Sequence, residues 1–169
     1  MLRSVRPHVL GLVLIGTVAA PLGNATALVK IPTPIIEIFR AIDRFGGVNS
    51  KSVLRMMHPD TPVHLKARQL SLAASNLMSN IKPLVLGMSW TSEDEWKNLD
   101  LPFILIHGDS DHVTPAARAA SLSEWCQAHI QGAHVIPRAG HIVMMEKSLE
   151  TNALIKTFLD EALGLEQQR

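Results

Sequence analysis

The stretch that decides the fold comes in two pieces, LPFILIHGDSDHVTP at residues 101–115 and AHVIPRAGH at residues 133–141. The unbroken apolar run FILI in the first piece predicts a strand buried on both faces, and the start of the second piece predicts another strand. Asp111 and His141 each follow one of these strands on a loop. Open α/β sheets place ligand-handling side chains just beyond the carboxyl ends of their strands. Both residues are therefore candidate site residues.

The composition indicates a globular protein without a nucleic-acid partner. The chain has 169 residues, of which 47% are hydrophobic and 18% charged, so it can bury a sizeable core and does not resemble a disordered chain. Its net charge is +1, and its lysines and arginines are scattered, so no nucleic-acid partner is expected. The one cysteine, Cys126, cannot form an internal disulfide, and no Cys/His cluster has zinc-ligand spacing.

Residues 1–20 are predicted to hold the first core strand, an apolar run over Val9–Ile15. The alternative is a secretory signal peptide over residues 1–27, since Ala25-Thr26-Ala27 resembles a signal-peptidase site. Without the first run only two strands would remain, and two strands cannot form a sheet that buries both of its faces. We therefore favour the strand and a cytoplasmic location, whereas the signal peptide would make the protein secreted. The run is too short to span a bilayer as a helix.

Residues 21–100 are predicted to form a helical insertion. Thr33 and Pro34 begin one helix, Thr61-Pro62 begins another, and Ser92 with Glu95 forms a capping box ahead of a third. The spacing of apolar residues predicts the buried stripes of the two long helices to be Ile35, Ile38, Phe39 and Ile42 in the first and Val63, Ala67, Leu70, Ala74 and Leu77 in the second.

Residues 101–169 are predicted to alternate strand, helix, strand and helix. A helix begins at Thr114-Pro115 and ends at Gly132, and a strand over residues 133–136 follows it. A last helix ends at Gly164. Its inner face is predicted to be Ile155, Phe158, Leu159 and Ala162.

The pattern Gly108-x-x-Asp111-x-Val113-x-Pro115, followed by Ala139-Gly140-His141 and a C-terminal helix, resembles the closing third of the α/β-hydrolase family. The resemblance implies an α/β class: a partial hydrolase fold of about three parallel strands with flanking helices and a helical lid insertion. In that family the acid and the histidine belong to a nucleophile–acid–histidine triad. By this resemblance Asp111 is the acid and His141 the general base.

The same resemblance implies that residues 21–100 are the substrate-covering lid and residues 101–169 the C-terminal core. The neighbouring Asp109 is predicted to be a solvated turn residue, because the Gly-x-x-Asp spacing selects Asp111. The family's Gly-x-Ser-x-Gly elbow is absent. Ser89 and Ser110 each follow a Gly-x pair but lack the final glycine, so no nucleophile is assigned. Cys126 is predicted to be a core residue.

The function implied by the resemblance is that of the C-terminal portion of a serine-type, esterase- or lipase-like hydrolase. Its substrate in the full-length parent would be a small-molecule ester or another acyl compound, and no metal or organic cofactor is implied. Because the nucleophile and the oxyanion loop are missing, we expect no activity from the chain alone. Whether the nucleophile of the full-length parent protein is instead an aspartate or a cysteine stays open. An aspartate nucleophile would suggest epoxide or haloalkane chemistry.

Two other interpretations stay open. In the first, the chain is a non-catalytic, truncated hydrolase-like protein that acts by binding a partner. In the second, it is a small secreted helical protein, which requires the signal peptide. In the hydrolase family the first strand would pair with the strand that carries the nucleophile. Its apolar, uncharged edge therefore predicts self-association of the isolated chain.

Overall fold

The computed structural model describes residues 9–18, 31–43, 48–75, 82–83, 86–87, 89–162 and 164. Its strands are β1 (Leu12–Ile15), β2 (Phe103–Gly108) and β3 (Ile130–Ile136). Between β1 and β2 lie helices α1 (Thr33–Asp43), α2 (Val48–Arg55), α3 (Val63–Ser75) and α4 (Glu93–Lys97). The 3₁₀ turn Ala116–Ala119 and helix α5 (Ala120–Trp125) connect β2 to β3. After β3 come α6 (Val143–Glu146), α7 (Ser148–Thr157) and a π-helical turn, Phe158–Ala162.

The three strands form one parallel sheet in the order β1-β2-β3. All six residues of β2 are buried, as expected for a central strand covered on both faces. The predicted α/β class with about three parallel strands is therefore confirmed, and a small helical protein is excluded.

Helices cover the two faces of β2 with separate apolar clusters. On one face Phe103 and Leu105 pack with Leu122 of α5. On the other face Ile104 and Ile106 pack with residues that follow β3, including Val143 and Phe158. The alternation of side chains along a strand explains this division, since neighbouring residues point to opposite faces.

The edge strand β1 is shorter than predicted, since it begins at Leu12 rather than at Val9. Its four residues are half-buried, and it pairs with β2 from Leu12 opposite Phe103 to Ile15 opposite Ile106. Most of the alternative signal peptide lies outside the described residues. The domain boundaries and the self-association through this edge stay predictions.

The predicted helix end at Gly132 is wrong. Helix α5 ends at Trp125, and Gly132 lies inside β3. Phe103 pairs with Ile130 while the next residue of β2 pairs with Gly132, so Gln131 is an extra residue in the ladder. Glycine inside a strand often marks such a bulge, whereas the local sequence pattern predicted a helix stop.

The predicted apolar stripes of the insertion are wrong at several positions, whereas Leu70 of α3 is half-buried as predicted. The predictions for the side chains of Phe39, Ile42 and Leu77 lie outside the described residues. Val63 of α3 is 81% exposed, and Ile35 and Ile38 of α1 are 44% and 59% exposed. The half-buried positions of α3 are Leu65, Lys66, Gln69, Leu70 and Ala73. Which helix face is buried depends on the neighbouring segments, which local spacing does not reveal. The capping box of α4 is confirmed, because the Ser92 side chain accepts from the Glu95 amide and the Glu95 carboxylate accepts from the Ser92 amide.

Replacement of Leu122 tests the packing of α5 against the sheet. Leu122 has no exposed surface, so Leu122→Ala leaves a cavity, and we expect the free energy of unfolding to fall by about 2–5 kcal/mol. The matched control is Leu149→Ala, at a position that is 82% exposed, with an expected change within about 0.5 kcal/mol. Urea denaturation of both variants measures the difference, and equal losses would contradict the placement of α5.

Candidate active site

The site lies beyond the carboxyl ends of β2 and β3, where the structure brings Asp111 and His141 together. Asp111 comes three residues after the last residue of β2, and His141 five residues after the last residue of β3. Because the two strands are parallel neighbours, their following loops lie side by side. The Asp111 Oδ2 atom is 3.0 Å from the His141 Nδ1 atom. This is the pairing that the sequence predicted.

Asp111 is buried, with 4% of its surface exposed, and its carboxylate has four hydrogen-bonding partners. Oδ1 accepts from the amides of Val113, at 2.9 Å, and Thr114, at 2.8 Å. Oδ2 accepts from the Thr114 hydroxyl at 2.7 Å and lies beside the His141 ring. Burial is the largest single influence and raises the pKa of Asp111, but the hydrogen bonds from Thr114 and His141 together outweigh it. The pKa therefore lies below its usual value, and the group is ionised at neutral pH.

Thr114 is a site residue, although the sequence pattern predicted it only as the start of a helix. Its hydroxyl lies 2.7 Å from Asp111 Oδ2, 3.0 Å from His141 Nδ1 and 2.8 Å from the Gly16 carbonyl oxygen. A hydroxyl has one proton to donate and two lone pairs that accept. The single proton of Thr114 goes to either Asp111 Oδ2 or the Gly16 carbonyl oxygen, and its lone pairs face His141 Nδ1, so Thr114 lies between the acid, the histidine and the end of β1. Thr114 and Gly16 are 98 residues apart in the chain, so no local sequence pattern could have predicted this contact.

The His141 ring packs against the end of β1. Gly16 has a φ of +57°, and a Cβ atom there would lie 3.2 Å from both Cε1 and Nδ1 of the ring. Glycine suits this position because the backbone is left-handed and the ring is close. The His141 amide donates to the Met56 carbonyl oxygen at 2.7 Å, and 24% of the His141 side chain is exposed.

The neighbouring candidates occupy different environments. Asp109 is exposed and accepts from the Ser110 hydroxyl at 2.9 Å and from the Ala139 amide at 3.3 Å. The Arg138 backbone amide contributes most to holding the pKa of Asp109 below its usual value. The hydroxyl of Ser110 is thus engaged by Asp109. His112 is exposed, as is Ser89.

Cys126 is buried in the cluster around Leu122, and its Sγ atom lies 3.1 Å from the Trp96 carbonyl oxygen. Burial raises the pKa of the Cys126 thiol, which disfavours the reactive thiolate. This position matches the core role that the sequence predicted for it.

His107, near the end of β2, is a buried histidine that no sequence motif marked as a site residue. Only 2% of its surface is exposed, and neither ring nitrogen has a hydrogen-bond partner among the described residues. Burial lowers the pKa of His107 below its usual value, although Asp111 and the backbone of Thr114 oppose this effect. The ring is therefore neutral at neutral pH.

Two cavities flank the edge strand β3, away from the dyad. One has a volume of about 470 Å³ and lies between β3 and α7, and the other has a volume of about 360 Å³ and lies between β3 and α5. Neither is lined by Asp111 or His141. In the part of the chain that the structure describes, no group of three or more His, Cys, Asp or Glu side chains could hold a metal ion. No helix within that part is long and apolar enough to cross a membrane.

The lowered pKa of Asp111 makes its contribution to stability dependent on pH. A group whose folded-state pKa is below its unfolded value of about 3.9 stabilises the fold above that pH and loses this effect as the pH falls through the folded-state pKa. Asp111→Asn places an amide donor among hydrogen-bond donors, and we expect it to cost about 1–3 kcal/mol at pH 7. The loss should shrink at pH 3, because below about pH 3.9 the unfolded chain binds a proton that the folded Asp111 carboxylate binds less readily.

Urea denaturation of the native chain and the Asp111→Asn variant at both pH values measures this difference. The control is Asp94→Asn, at an exposed position in the first turn of α4, with an expected change within about 0.5 kcal/mol at either pH. A loss from Asp111→Asn that is the same at pH 3 and pH 7 would contradict the ionised, hydrogen-bonded carboxylate.

Comparison with known proteins identifies the family to which this fold belongs. A model of the α/β-hydrolase family matches residues 1–154. An abhydrolase domain-containing protein of Schizosaccharomyces pombe is 25% identical over 137 residues, which cover 78% of this chain and 36% of that protein. The chain thus spans about a third of the length of this curated relative.

Two solved structures share the fold at low sequence identity. A malate-bound thermophilic esterase from Thermogutta terrifontis has a TM-score of 0.71 and 22% identity, over 92% of this chain and 57% of that one. MenH from S. aureus has a TM-score of 0.64 and 17% identity, over 90% of this chain and 59% of that one. The family match over most of the chain and this shared architecture lead to one conclusion: the chain belongs to the α/β-hydrolase family.

Proposed function

We propose that Asp111 and His141 are the acid and the general base of a serine-type, esterase-like acyl hydrolase. The observation that carries the proposal is the 3.0 Å contact between a buried, ionised carboxylate and the Nδ1 atom of a partly exposed imidazole. This is the geometry that orients a histidine as a base. The solved structure of an esterase with the same fold supports acyl chemistry as the reaction class.

The hydrogen bonds at Nδ1 decide which ring nitrogen takes part in chemistry. The Asp111 carboxylate is an acceptor only, so Nδ1 must be the protonated nitrogen that donates to it. Nε2 then carries the lone pair. In the proposed reaction Nε2 removes the proton of a nucleophilic hydroxyl as that oxygen attacks the acyl carbonyl carbon, and returns the proton to the leaving-group oxygen. A water molecule then releases the acyl group by the same steps.

Asp111 has two roles in this reaction. It holds the ring in the Nδ1–H tautomer, and its negative charge stabilises the imidazolium that forms when Nε2 takes the proton. Its pKa below the usual value keeps it ionised throughout. Thr114 supports the pair, because its hydroxyl contacts both Asp111 Oδ2 and His141 Nδ1.

We assign the nucleophile and the oxyanion donors to sequence outside these 169 residues. The chain contains no Gly-x-Ser-x-Gly motif, the Ser110 hydroxyl is bound to Asp109, and Cys126 is buried in the core. Without a nucleophile and preorganised oxyanion donors most of the rate enhancement of such a site is lost. The 169-residue chain alone is therefore proposed to be inactive.

The helical segment between β1 and β2 is proposed to cover the acyl substrate as a lid. Two observations support this role. Ile35 and Ile38 expose apolar surface on α1, which suits contact with an apolar acyl group. The Met56 carbonyl, which follows α2, accepts from the His141 amide, so the segment reaches the catalytic histidine.

The first test is hydrolysis of p-nitrophenyl butyrate by the purified chain. We expect the same background rate for the native chain and for His141→Ala, because His141 has no nucleophile to activate. A native rate more than about tenfold above that of His141→Ala would contradict the assignment of the nucleophile to other sequence.

The second test is labelling of the endogenous protein by a fluorophosphonate, which reacts with activated serine residues. We expect a labelled serine outside these 169 residues, and a loss of labelling of about 100-fold or more in His141→Ala, since the base is required for activation of the serine. His112→Ala is the matched control, because His112 is exposed and adjacent to the acid.

Intact labelling in the His112→Ala variant and its loss in the His141→Ala variant support the proposal. An endogenous protein that takes no label, or one in which His141→Ala is labelled as fast as the native protein, would overturn the serine-hydrolase assignment.

A further inference from the structure

The 56–61 turn, which joins α2 to α3, lies directly against the histidine loop, residues 137–142 between β3 and α6. The His141 amide donates to the Met56 carbonyl oxygen at 2.7 Å. A Cβ atom on Gly140 would lie 2.5 Å from that oxygen and 2.8 Å from the Met57 Cα atom. The backbone of the 56–61 turn therefore contacts the histidine loop at two neighbouring residues, Gly140 and His141.

Glu146, the last residue of α6, bonds both of these segments with one carboxylate. Its Oε1 atom accepts from the Gly140 amide at 3.0 Å. Its Oε2 atom accepts from the His58 amide at 2.7 Å and from the Thr61 hydroxyl at 2.5 Å. His58 and Thr61 are 88 and 85 residues away in the chain. One side chain thus joins the helical insertion to the residue that precedes the histidine.

A second, weaker contact joins the same two segments. Arg138 of the histidine loop and Asp60 of the 56–61 turn form an ion pair with a nitrogen–oxygen distance of 2.8 Å. Their side chains are 68% and 59% exposed, and exposed ion pairs of this kind contribute little to stability. The carboxylate of Glu146, which is less exposed and accepts three hydrogen bonds, is therefore the main connection.

We propose that Glu146 is a positioning residue for His141 and makes the position of the base depend on the 56–61 turn. This inference rests on the proposed role of His141 as general base. The His141 ring is held by Asp111 and Thr114, but its backbone is held by the Met56 carbonyl and, through Gly140, by Glu146. Loss of the Glu146 contacts frees the Ala139–Gly140 peptide, one residue before His141, and releases the 56–61 turn whose Met56 carbonyl holds the His141 amide. Hydrogen bonds weaken steeply when their angle or distance changes.

The chemistry of the three donors requires a carboxylate at this position. Two backbone amides and one hydroxyl point at Glu146, and a carboxylate accepts from all of them. A glutamine amide has one acceptor oxygen, and its NH₂ group would face either the Gly140 amide or the His58 amide and Thr61 hydroxyl. In either orientation of the amide group, at least one backbone N–H group loses its acceptor.

The experiment compares Glu146→Gln with the matched control Glu150→Gln at an exposed position on α7. Residue-resolved hydrogen exchange reports on the amides of His58 and Gly140. We expect exchange at one or both to be at least about tenfold faster in Glu146→Gln, as an unmade hydrogen bond implies, and unchanged in Glu150→Gln.

The position of the His141 ring is measured in the same samples by its reaction with diethyl pyrocarbonate, followed across pH by mass spectrometry. We expect Glu146→Gln to shift the rate–pH profile of His141 away from the native one, and Glu150→Gln to match the native profile. Thr61→Val removes one of the three bonds and should shift the profile in the same direction by less. If Glu146→Gln does not fold, the Thr61→Val variant is used for the same comparison.

A His141 profile in Glu146→Gln or Thr61→Val that superimposes on the native one overturns the positioning role, even if exchange at His58 rises. The dyad is tested separately by Asp111→Asn. If Asp111→Asn leaves the His141 profile unchanged while Glu146→Gln shifts it, the proposed acid is wrong and the role of Glu146 stands. If Glu146→Gln changes neither measurement, the inference about Glu146 fails while the acid–base pair is unaffected.

Discussion

The structure of the site depends on one buried carboxylate. A carboxylate that is removed from water is stable only when hydrogen bonds replace its hydration. Asp111 has 4% exposed surface and is bonded by two backbone amides, a hydroxyl and an imidazole. These donors come from its own loop and from the histidine loop, and Thr114 extends the network to the end of β1. The positions of Val113, Thr114 and the His141 ring therefore follow from satisfying this charge.

The parallel sheet explains why such donors meet at one place. The central strand β2 is buried along its whole length and ends at Gly108, where the chain turns into the loop of Asp111. Its neighbours β1 and β3 run in the same direction, so Gly16, Asp111 and His141 all follow strand ends at the same edge. The helical insertion then contacts the backbone of His141 through the 56–61 turn. The base thus contacts three other segments of the chain: the end of β1, the loop of Asp111 and the 56–61 turn.

The features that the sequence predicted are those with a local signal. The apolar run of β2 and the Gly108-x-x-Asp111 and Ala139-Gly140-His141 patterns each lie within a few residues, and they led to the central strand and to the pair. Thr114 also contacts Gly16, 98 residues away, and Glu146 contacts His58 and Thr61, 88 and 85 residues away. Spacing along the chain carried no sign of these long-range contacts. The face of α3 was mispredicted because tertiary neighbours decide which side is covered, and the start of β3 was missed because its bulge interrupts the alternating pattern.

The most direct test of the central claim is the tautomer of the neutral His141 ring, measured by ¹⁵N NMR of the isotope-labelled chain in solution or in the solid state. An ionised Asp111 accepts only, so the account predicts that Nδ1 carries the proton and Nε2 is unprotonated. A ring protonated on Nε2 would contradict the account, because Nδ1 could not then donate to Asp111 and Nε2 could not act as the base.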